Sequence, residues 1–407
     1  MERLILPAAA WRTRPGLPEL CEVLGAGRGE TRYVGGAVRD TLLGIEVADV
    51  DLATRHTPED VIDLLARARI KAVPTGLAHG TITAVLADGA PIEVTTLRRD
   101  TATDGRHATV AFTDDWREDA ARRDFTINAL YADPASGEIF DYFGGLDDLA
   151  ARRVRFIGDP LQRIAEDHLR ILRFFRFHAR FGDAPDAAGL DACTQRANDL
   201  MALSRERISA EFLKLLVAPN AVATLALMIA RGILLPVLPE IDDSGVSRLA
   251  RVAAAEVHAE LAPDPLRRLA AVLPRDPVLG ENVGARLKLS NAQRKRIVSA
   301  LTDPTDSPHP LAYRLGRDGA LDRWLLTVED AADAVRGARE IVAWEIPRFP
   351  LTGGALVQRG VIKGPDVARL LKQIEDRWVA ESFPDAARAH AIADEAVAQW
   401  RSSTSIA

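Results

Sequence analysis

The sequence predicts an α+β fold, with a small mixed sheet and its helices in the first 150 residues and helices alone after that. Two observations carry this. Short segments with apolar residues at alternate places recur between glycine-rich turns up to about residue 150. From the turn Gly158-Asp159-Pro160 onward helical periodicity takes over, and Pro185, Pro219, Pro236, Pro239, Pro263, Pro265, Pro274, Pro277, Pro304, Pro308 and Pro310 cut it into short helices. The composition agrees: 407 residues, 47% hydrophobic and 27% charged, suit about two to four globular domains and exclude disordered, collagen-like and disulfide-scaffold chains.

The elements follow in order. TRYVGG at Thr31–Gly36 reads as a strand running into a glycine turn, AVRDTLLG as a helix, and EVADVDLAT as a strand that contains both Asp49 and Asp51. A helix is expected from Pro58 to Arg69, because Thr57 is a good N-cap, Pro58 suits the first helical position, and Glu59 and Asp60 suit the first turn. Strand patterns return at Thr81–Asp88, Pro91–Arg98 and Ala108–Phe112. The end, Arg401–Ala407, is expected to be loose.

Exclusions narrow the class. The most apolar stretch, Ala221–Ala230, lies between Pro219 and Arg231 and is shorter than the roughly 18 residues a membrane-spanning helix needs. The start MERLILPAAAW lacks the order of a secretory signal, and Cys21 and Cys193 stand alone, so a reducing cytoplasm is expected and neither a disulfide nor a zinc site is. The net charge of −6 argues against a uniformly basic coat, yet Ala151–Arg180 holds eight arginines against three acids. Only six of the 52 basic residues are lysines, a bias that suits phosphate contacts and equally suits a GC-rich genome.

Asp49 and Asp51 are one residue apart in the predicted strand, so the pleat aims both carboxylates at one face, where they would attract cations. Alone, the pair reads equally well as solvated surface acids. Upstream, Gly35 and Gly36 end a strand and open a helix that carries Arg39, where backbone amides and a guanidinium can approach an anion. Asp167, Arg170, Arg173 and Arg176 are spaced by three and are expected along one side of one helix, unless they are only a surface ladder of charges. Phe174, Phe175, Phe177 and Phe181 among them are expected to pack the core, and His56, His79, His107 and His168 show no ligand spacing.

YVGGAVRDTLLG followed by DVDLAT resembles the opening signature of the class II CCA tRNA nucleotidyltransferases and bacterial poly(A) polymerases. RRDFTINAL at Arg122–Leu130, GEIFDYFGGLDDL at Gly137–Leu149, EDHLRILRFFRFHARF at Glu166–Phe181 and SRERISAEFLKLL at Ser204–Leu216 follow in the family's order, covering about the first 220 residues. The second half resembles the family loosely, through Leu351–Leu371, where Ala355 stands at a place usually acidic. No adjacent His-Asp pair occurs, so a phosphohydrolase domain is not expected.

The resemblance implies a nucleotidyltransferase head at 1–150, then a helical neck at 151–220, a body at 221–310 and a tRNA-binding tail at 311–407. It implies attack of an RNA 3′-hydroxyl on the α-phosphorus of CTP or ATP, with pyrophosphate leaving and CCA completed on tRNA. Asp49 and Asp51 would hold Mg²⁺, and Glu93 is the candidate third carboxylate, unless it is an ordinary exposed strand acid. Gly35, Gly36, Arg39 and Arg123 would meet the triphosphate; Arg122 could equally be a surface charge, and Asn128 a structural hydrogen-bonder. Cytosine and adenine share an exocyclic amine beside an accepting ring nitrogen, so Asp167 could accept from the amine and Arg170 donate to the nitrogen. Arg173 and Arg176 would orient that pair or meet phosphate and ribose. Arg106 and Asp119 fall in a polar stretch like the family's mobile loop. No membrane contact and no obligate protein partner is implied. Poly(A) addition, partial CC or A addition, and an inactive RNA-binding homologue share these motifs; modest size and the lack of a strongly basic C-terminal extension favour CCA addition.

Overall fold

The computed structural model describes residues 4–103, 108–303, 307–361 and 364–404, and these divide into two compact units, Met1–Pro239 and Glu240–Ala407.

The first unit is built on one mixed sheet. Its strands are β1 (Thr31–Val34), β2 (Asp51–Thr54), β3 (Lys71–Gly76), β4 (Thr81–Val85) and β5 (Pro91–Thr96), joined later by β8 (Leu130–Ala132) and β9 (Ile139–Asp141), in the order β3-β4-β5-β2-β1-β8-β9. Between them, β6 (Arg98–Thr103) and β7 (Ala108–Phe112) form a separate antiparallel ribbon. Only β2 and β5 run parallel, and their register sets Asp51 beside Glu93. The helices are α1 (Leu17–Val23), α2 (Gly36–Leu42), α3 (Pro58–Arg67), α4 (Trp116–Ala121), α5 (Gly145–Ala150), α6 (Pro160–Glu166), α7 (Leu169–Phe181), α8 (Ala187–Gln195), α9 (Arg205–Leu216) and α10 (Ala221–Ala230). Helix α3 starts as its sequence foretells, with a capping box between Thr57 and Asp60 and Pro58 in the first turn.

What positions the site is the aromatic packing of α7. Phe174 stacks on Phe156 with centroids 5.6 Å apart, and Phe125 lies 5.3 Å from Phe177. These rings are buried, as are Phe175 and Phe181. They seat α7 against the turn Arg123–Asn128 and leave its arginine face to the polar side.

In the second unit every regular element among the described residues is helical. These are α11 (Asp243–His258), α12 (Pro265–Val272), α13 (Pro277–Arg286), α14 (Asn291–Leu301), α15 (Pro308–Thr327), α16 (Ala331–Ala343), α17 (Gly353–Gln358), α18 (Pro365–Ala380) and α19 (Ala386–Thr404). Proline opens four of them, where its missing N–H is not needed. One apolar cluster joins α11, α15 and α16 through residues such as Leu311, Leu325 and Ile341; another joins α17, α18 and α19 through Leu356, Trp378 and Ile392. Glu256, fully buried, is paired by Arg267 at 2.7 Å and Arg268 at 2.8 Å. No helix among the described residues is long and apolar enough to cross a membrane.

Four expectations need correction. Asp49 is not in a strand: β1 turns away at Gly35, its register ends at Val34 against Asp51, and the segment before Asp51 has no ladder partner. The segment Pro91–Arg98 is not one strand, because Leu97 separates β5 from the ribbon. Asp167 is not on the helix of Arg170; its backbone is extended (φ −152°, ψ 106°) between α6 and α7, and its carboxylate accepts the Leu169 N–H at 3.1 Å, a cap's task. The end is helical through Thr404.

Candidate active site

A cavity of about 730 Å³ opens in the first unit. Gly35, Gly36, Arg39, Asp49, Asp51, Arg123, Asp167, Arg170, Arg173 and Arg176 all line it, although they come from four separate stretches of chain. Eight arginines and five aspartates line it in total, so the wall carries a surplus of positive charge suited to a polyanion. Glu93 is the exception among the expected residues: it is exposed on β5 and does not line the cavity, but stands beside Asp51 in register.

The acidic corner is formed by Asp49, Asp51 and Glu93. Burial pushes the Asp51 carboxyl up to about 6, with Glu93 and then Asp49 adding repulsion that Arg123 only partly relieves. Among the described residues no lysine or arginine forms an ion pair with any of the three, and no group of three or more His, Cys, Asp or Glu is gathered closely enough to hold a metal ion as it stands.

Opposite lies the glycine turn. Gly35 has φ 68° and ψ −119°, a conformation that only glycine adopts readily, and a Cβ there would stand 3.6 Å from Arg123 Nη1. Seven of the eight cavity arginines are paired with a carboxylate, while the Arg98 guanidinium donates to the His79 carbonyl. Arg39 is buried, donating from Nε to Asp40 at 2.7 Å and from Nη1 to Asn128 Oδ1 at 2.5 Å; burial lowers its pKa against the pull of Asp40. Arg123 donates to Asp119 at 3.2 Å and to the Tyr131 hydroxyl at 3.2 Å. Asp119, 1% exposed, also accepts from Arg122 at 2.8 Å, from the Tyr131 hydroxyl at 2.6 Å and from the Arg98 backbone N–H at 3.3 Å. Burial alone would raise the Asp119 pKa, but Arg123 and Arg122 with these hydrogen bonds hold it down at about 2. It is thus an anchor on α4, while Arg106 lies outside the described residues.

Helix α7 supplies the third wall. Arg173 donates to Asp124 at 2.7 Å, and Arg176 pairs with Glu211 at 2.6 Å while lying 4.3 Å over the Phe177 ring. Asp167 and Arg170, the expected readers of the base edge, each have other protein partners. Arg170 Nη1 donates to Glu166 at 2.6 Å and to the Arg163 carbonyl at 2.9 Å, and its Nη2 to the Arg122 carbonyl at 3.1 Å. Asp167 receives Arg207 of α9 at 2.8 and 3.1 Å. Both side chains keep capacity for a ligand: Arg170 has its Nε–H and one further N–H, and a carboxylate offers about four lone-pair sites.

Residues 31–155 match the model of the poly A polymerase head domain, and residues 186–244 that of a probable RNA and SrmB-binding site of polymerase A. The mitochondrial CCA tRNA nucleotidyltransferase 1 of Mus musculus is 36% identical over 394 residues, covering 90% of this chain and 87% of that protein. The chain belongs to the CCA tRNA nucleotidyltransferase and poly(A) polymerase family. A CCA-adding enzyme of Levilactobacillus brevis is 34% identical over 380 residues, 88% of this chain and 91% of that one. The solved CCA-adding enzyme of Bacillus stearothermophilus in complex with CTP superposes with a TM-score of 0.69 at 30% identity, over 90% of this chain and 93% of that one.

Sequence reasoning missed the residues behind the first rank. Asp40, Arg207 and Glu211 all lie within the motifs that carried the resemblance, so the signal was their position in those motifs; Asp124 is the hydrogen-bonding residue that its alternation with apolar neighbours suits. Asp40 meets Arg180 and Asp124 meets Arg173, contacts that tertiary packing makes between distant stretches of chain.

Proposed function

We propose that this chain adds CCA to the 3′ end of tRNA, taking CTP and ATP in turn and releasing pyrophosphate. The observation that carries this is the convergence of ten motif residues from four stretches of chain on one cavity whose arginines outnumber its acids. The names of the relatives point to the same substrates.

In this reading Arg39 and Arg123, each backed by a buried carboxylate, receive the triphosphate oxygens, with the open Gly35-Gly36 turn letting them close in. Asp167 accepts from the exocyclic amine of cytosine or adenine, and Arg170 donates to the neighbouring ring nitrogen; guanine and uracil present a carbonyl where Asp167 needs a donor. Arg173 and Arg176 fix this edge of the cavity. The 3′-hydroxyl then gives up its proton to water and its oxygen bonds to the α-phosphorus, while the bond to the bridging oxygen breaks and pyrophosphate leaves.

Asp49 and Asp51, with Glu93 beside them, are the oxygen donors suited to Mg²⁺, and their unneutralised mutual repulsion fits a cation. Bound there, the ion would lower the pKa of the 3′-hydroxyl and neutralise charge on the triphosphate. The neck and tail assigned to residues 151–220 and 311–407 meet the tRNA backbone rather than its sequence. Two buried free cysteines suit a reducing compartment, which favours the cytoplasm.

The test is incorporation of labelled CTP and ATP into tRNA lacking its CCA end. Asp51→Ala should remove both activities together, since the acid corner serves every addition step. Retention of either activity near the parent level would remove Asp51 from the chemistry.

A further inference from the structure

We propose that Asn128 is a positioning residue for nucleotide binding, whose side-chain amide aims the Arg39 guanidinium into the cavity. The inference rests on the reading of Arg39 as a triphosphate contact.

Asn128 sits at the centre of a chain of polar contacts that begins and ends on α7. At one end Arg180 lies 3.5 Å from Asp40 Oδ2, and Asp40 Oδ1 accepts Arg39 Nε at 2.7 Å. Arg39 Nη1 donates to Asn128 Oδ1, and Asn128 Nδ2 donates to Asp124 Oδ1 at 3.0 Å. Asp124 Oδ2 in turn accepts from Arg173, at 2.7 Å from Nε and 2.5 Å from Nη2. Arg173 and Arg180 stand seven residues apart, about two turns of the helix, so α7 grips both ends.

Asn128 is the one neutral side chain of the six, and both ends of its amide are committed. Turning the amide over would set its N–H₂ against the Arg39 N–H and its oxygen against Asp124, so the network fixes one orientation. Asp40, Arg39, Asp124 and Asn128 are all buried, so water does not readily replace a lost partner. Because Asn128 lines the cavity itself, Arg39 is held at the cavity wall by a group that carries no charge of its own to compete for the triphosphate.

The chemistry makes the test specific. A protonated carboxyl keeps one acceptor and one donor, as the amide does; an ionised one can only accept. Facing position 128 are Arg39 and Asp40 from α2, Asp124 from the same turn, Arg173 and Arg180 from α7, and Arg123 near the Gly35 turn, with Phe177 adding no charge. In Asn128→Asp the new carboxyl therefore adjoins Asp124 and the two share their titration.

Nucleotide KM and tRNA affinity would be measured for the parent, Asn128→Leu, Asn128→Asp, Arg39→Ala and the Arg39→Ala/Asn128→Leu double variant. Asn128→Leu should raise the KM for CTP and ATP about tenfold, the usual scale for leaving a buried charged donor one partner short, with tRNA affinity unmoved. Asn128→Asp should show a similar rise across the neutral range, because Arg39 and Arg173 favour the ionised form of the paired carboxyls, which can only accept. In the Arg39→Ala background Asn128→Leu should add less than about twofold. Additive effects in the double variant, with Arg39→Ala itself raising nucleotide KM, would overturn the role of Asn128 and leave Arg39 in place. An unchanged KM in Arg39→Ala would instead remove the reading beneath it. Should Asn128→Leu not fold, Asn128→Ala takes its place in the same cycle, and an unchanged nucleotide KM or additivity with Arg39→Ala overturns the proposal.

Discussion

Replacing Asp119 by Asn should destabilise the first unit and do so in a pH-dependent way. The carboxylate is 1% exposed and accepts from two guanidinium groups, the Tyr131 hydroxyl and the Arg98 backbone N–H. An amide keeps the shape but loses the charge and turns an N–H₂ toward donors. Its folded pKa of about 2 against an ordinary 3.8 corresponds to about 2 kcal/mol of stability. The folded value is depressed, so that stability is fully present above about pH 4 and is lost as pH falls through about 2. Loss of the paired charge at neutral pH should thus cost about 2 to 3 kcal/mol, since Arg122 and Arg123 retain some access to water. Urea unfolding of the full chain, followed by circular dichroism at neutral pH and at about pH 3, reads this directly. The parent should lose more stability than the variant on acidification. Equal unfolding midpoints at neutral pH, or parallel acid dependence, would show that the Asp119 charge does not carry this stability.

Asp167→Ala should impair discrimination against UTP and GTP more than tRNA binding, read as kcat/KM across four nucleotides and as tRNA affinity at fixed salt; an unchanged nucleotide ratio would make Asp167 only the cap of α7. Gly145→Ala should destabilise the first unit by about 2 kcal/mol or more, because a Cβ there would stand 2.4 Å from the Thr126 carbonyl oxygen, a backbone atom that cannot swing aside. A thermal midpoint within a degree or so of the parent would contradict that packing.

The order of elements was legible where the local chemistry is strong. Thr57-Pro58 with Asp60 announces α3, the Gly35-Gly36 pair announces the turn into α2, and the prolines after Gly158 announce a helical remainder. Periodicity failed at short elements. Strands β3, β6, β8 and β9 were not anticipated; β8 and β9 have only three residues each, too few to set an alternation apart from chance, and owe their existence to the ladder they join. The motif residues were legible as a set, but their geometry was not. Spacing by three placed Asp167 on the helix of Arg170, whereas its capping contact with Leu169 breaks the chain direction there. Likewise no local pattern marks that Arg207 covers Asp167 or that Asp119 gathers Arg122, Arg123 and Tyr131, because those contacts are decided by how separate elements pack.

If Asp167 and Arg170 accept C and A alike, addition must stop by the fit of the growing tRNA end rather than by a change of template. The direct measurement is product length at single-nucleotide resolution, on tRNA ending at its discriminator base with CTP and ATP supplied, and with unstructured RNA as control. The tRNA should be extended by three nucleotides and then no further. Long A-tails on either RNA, made without any need for CTP, would contradict CCA addition and point to a poly(A) polymerase on the same scaffold.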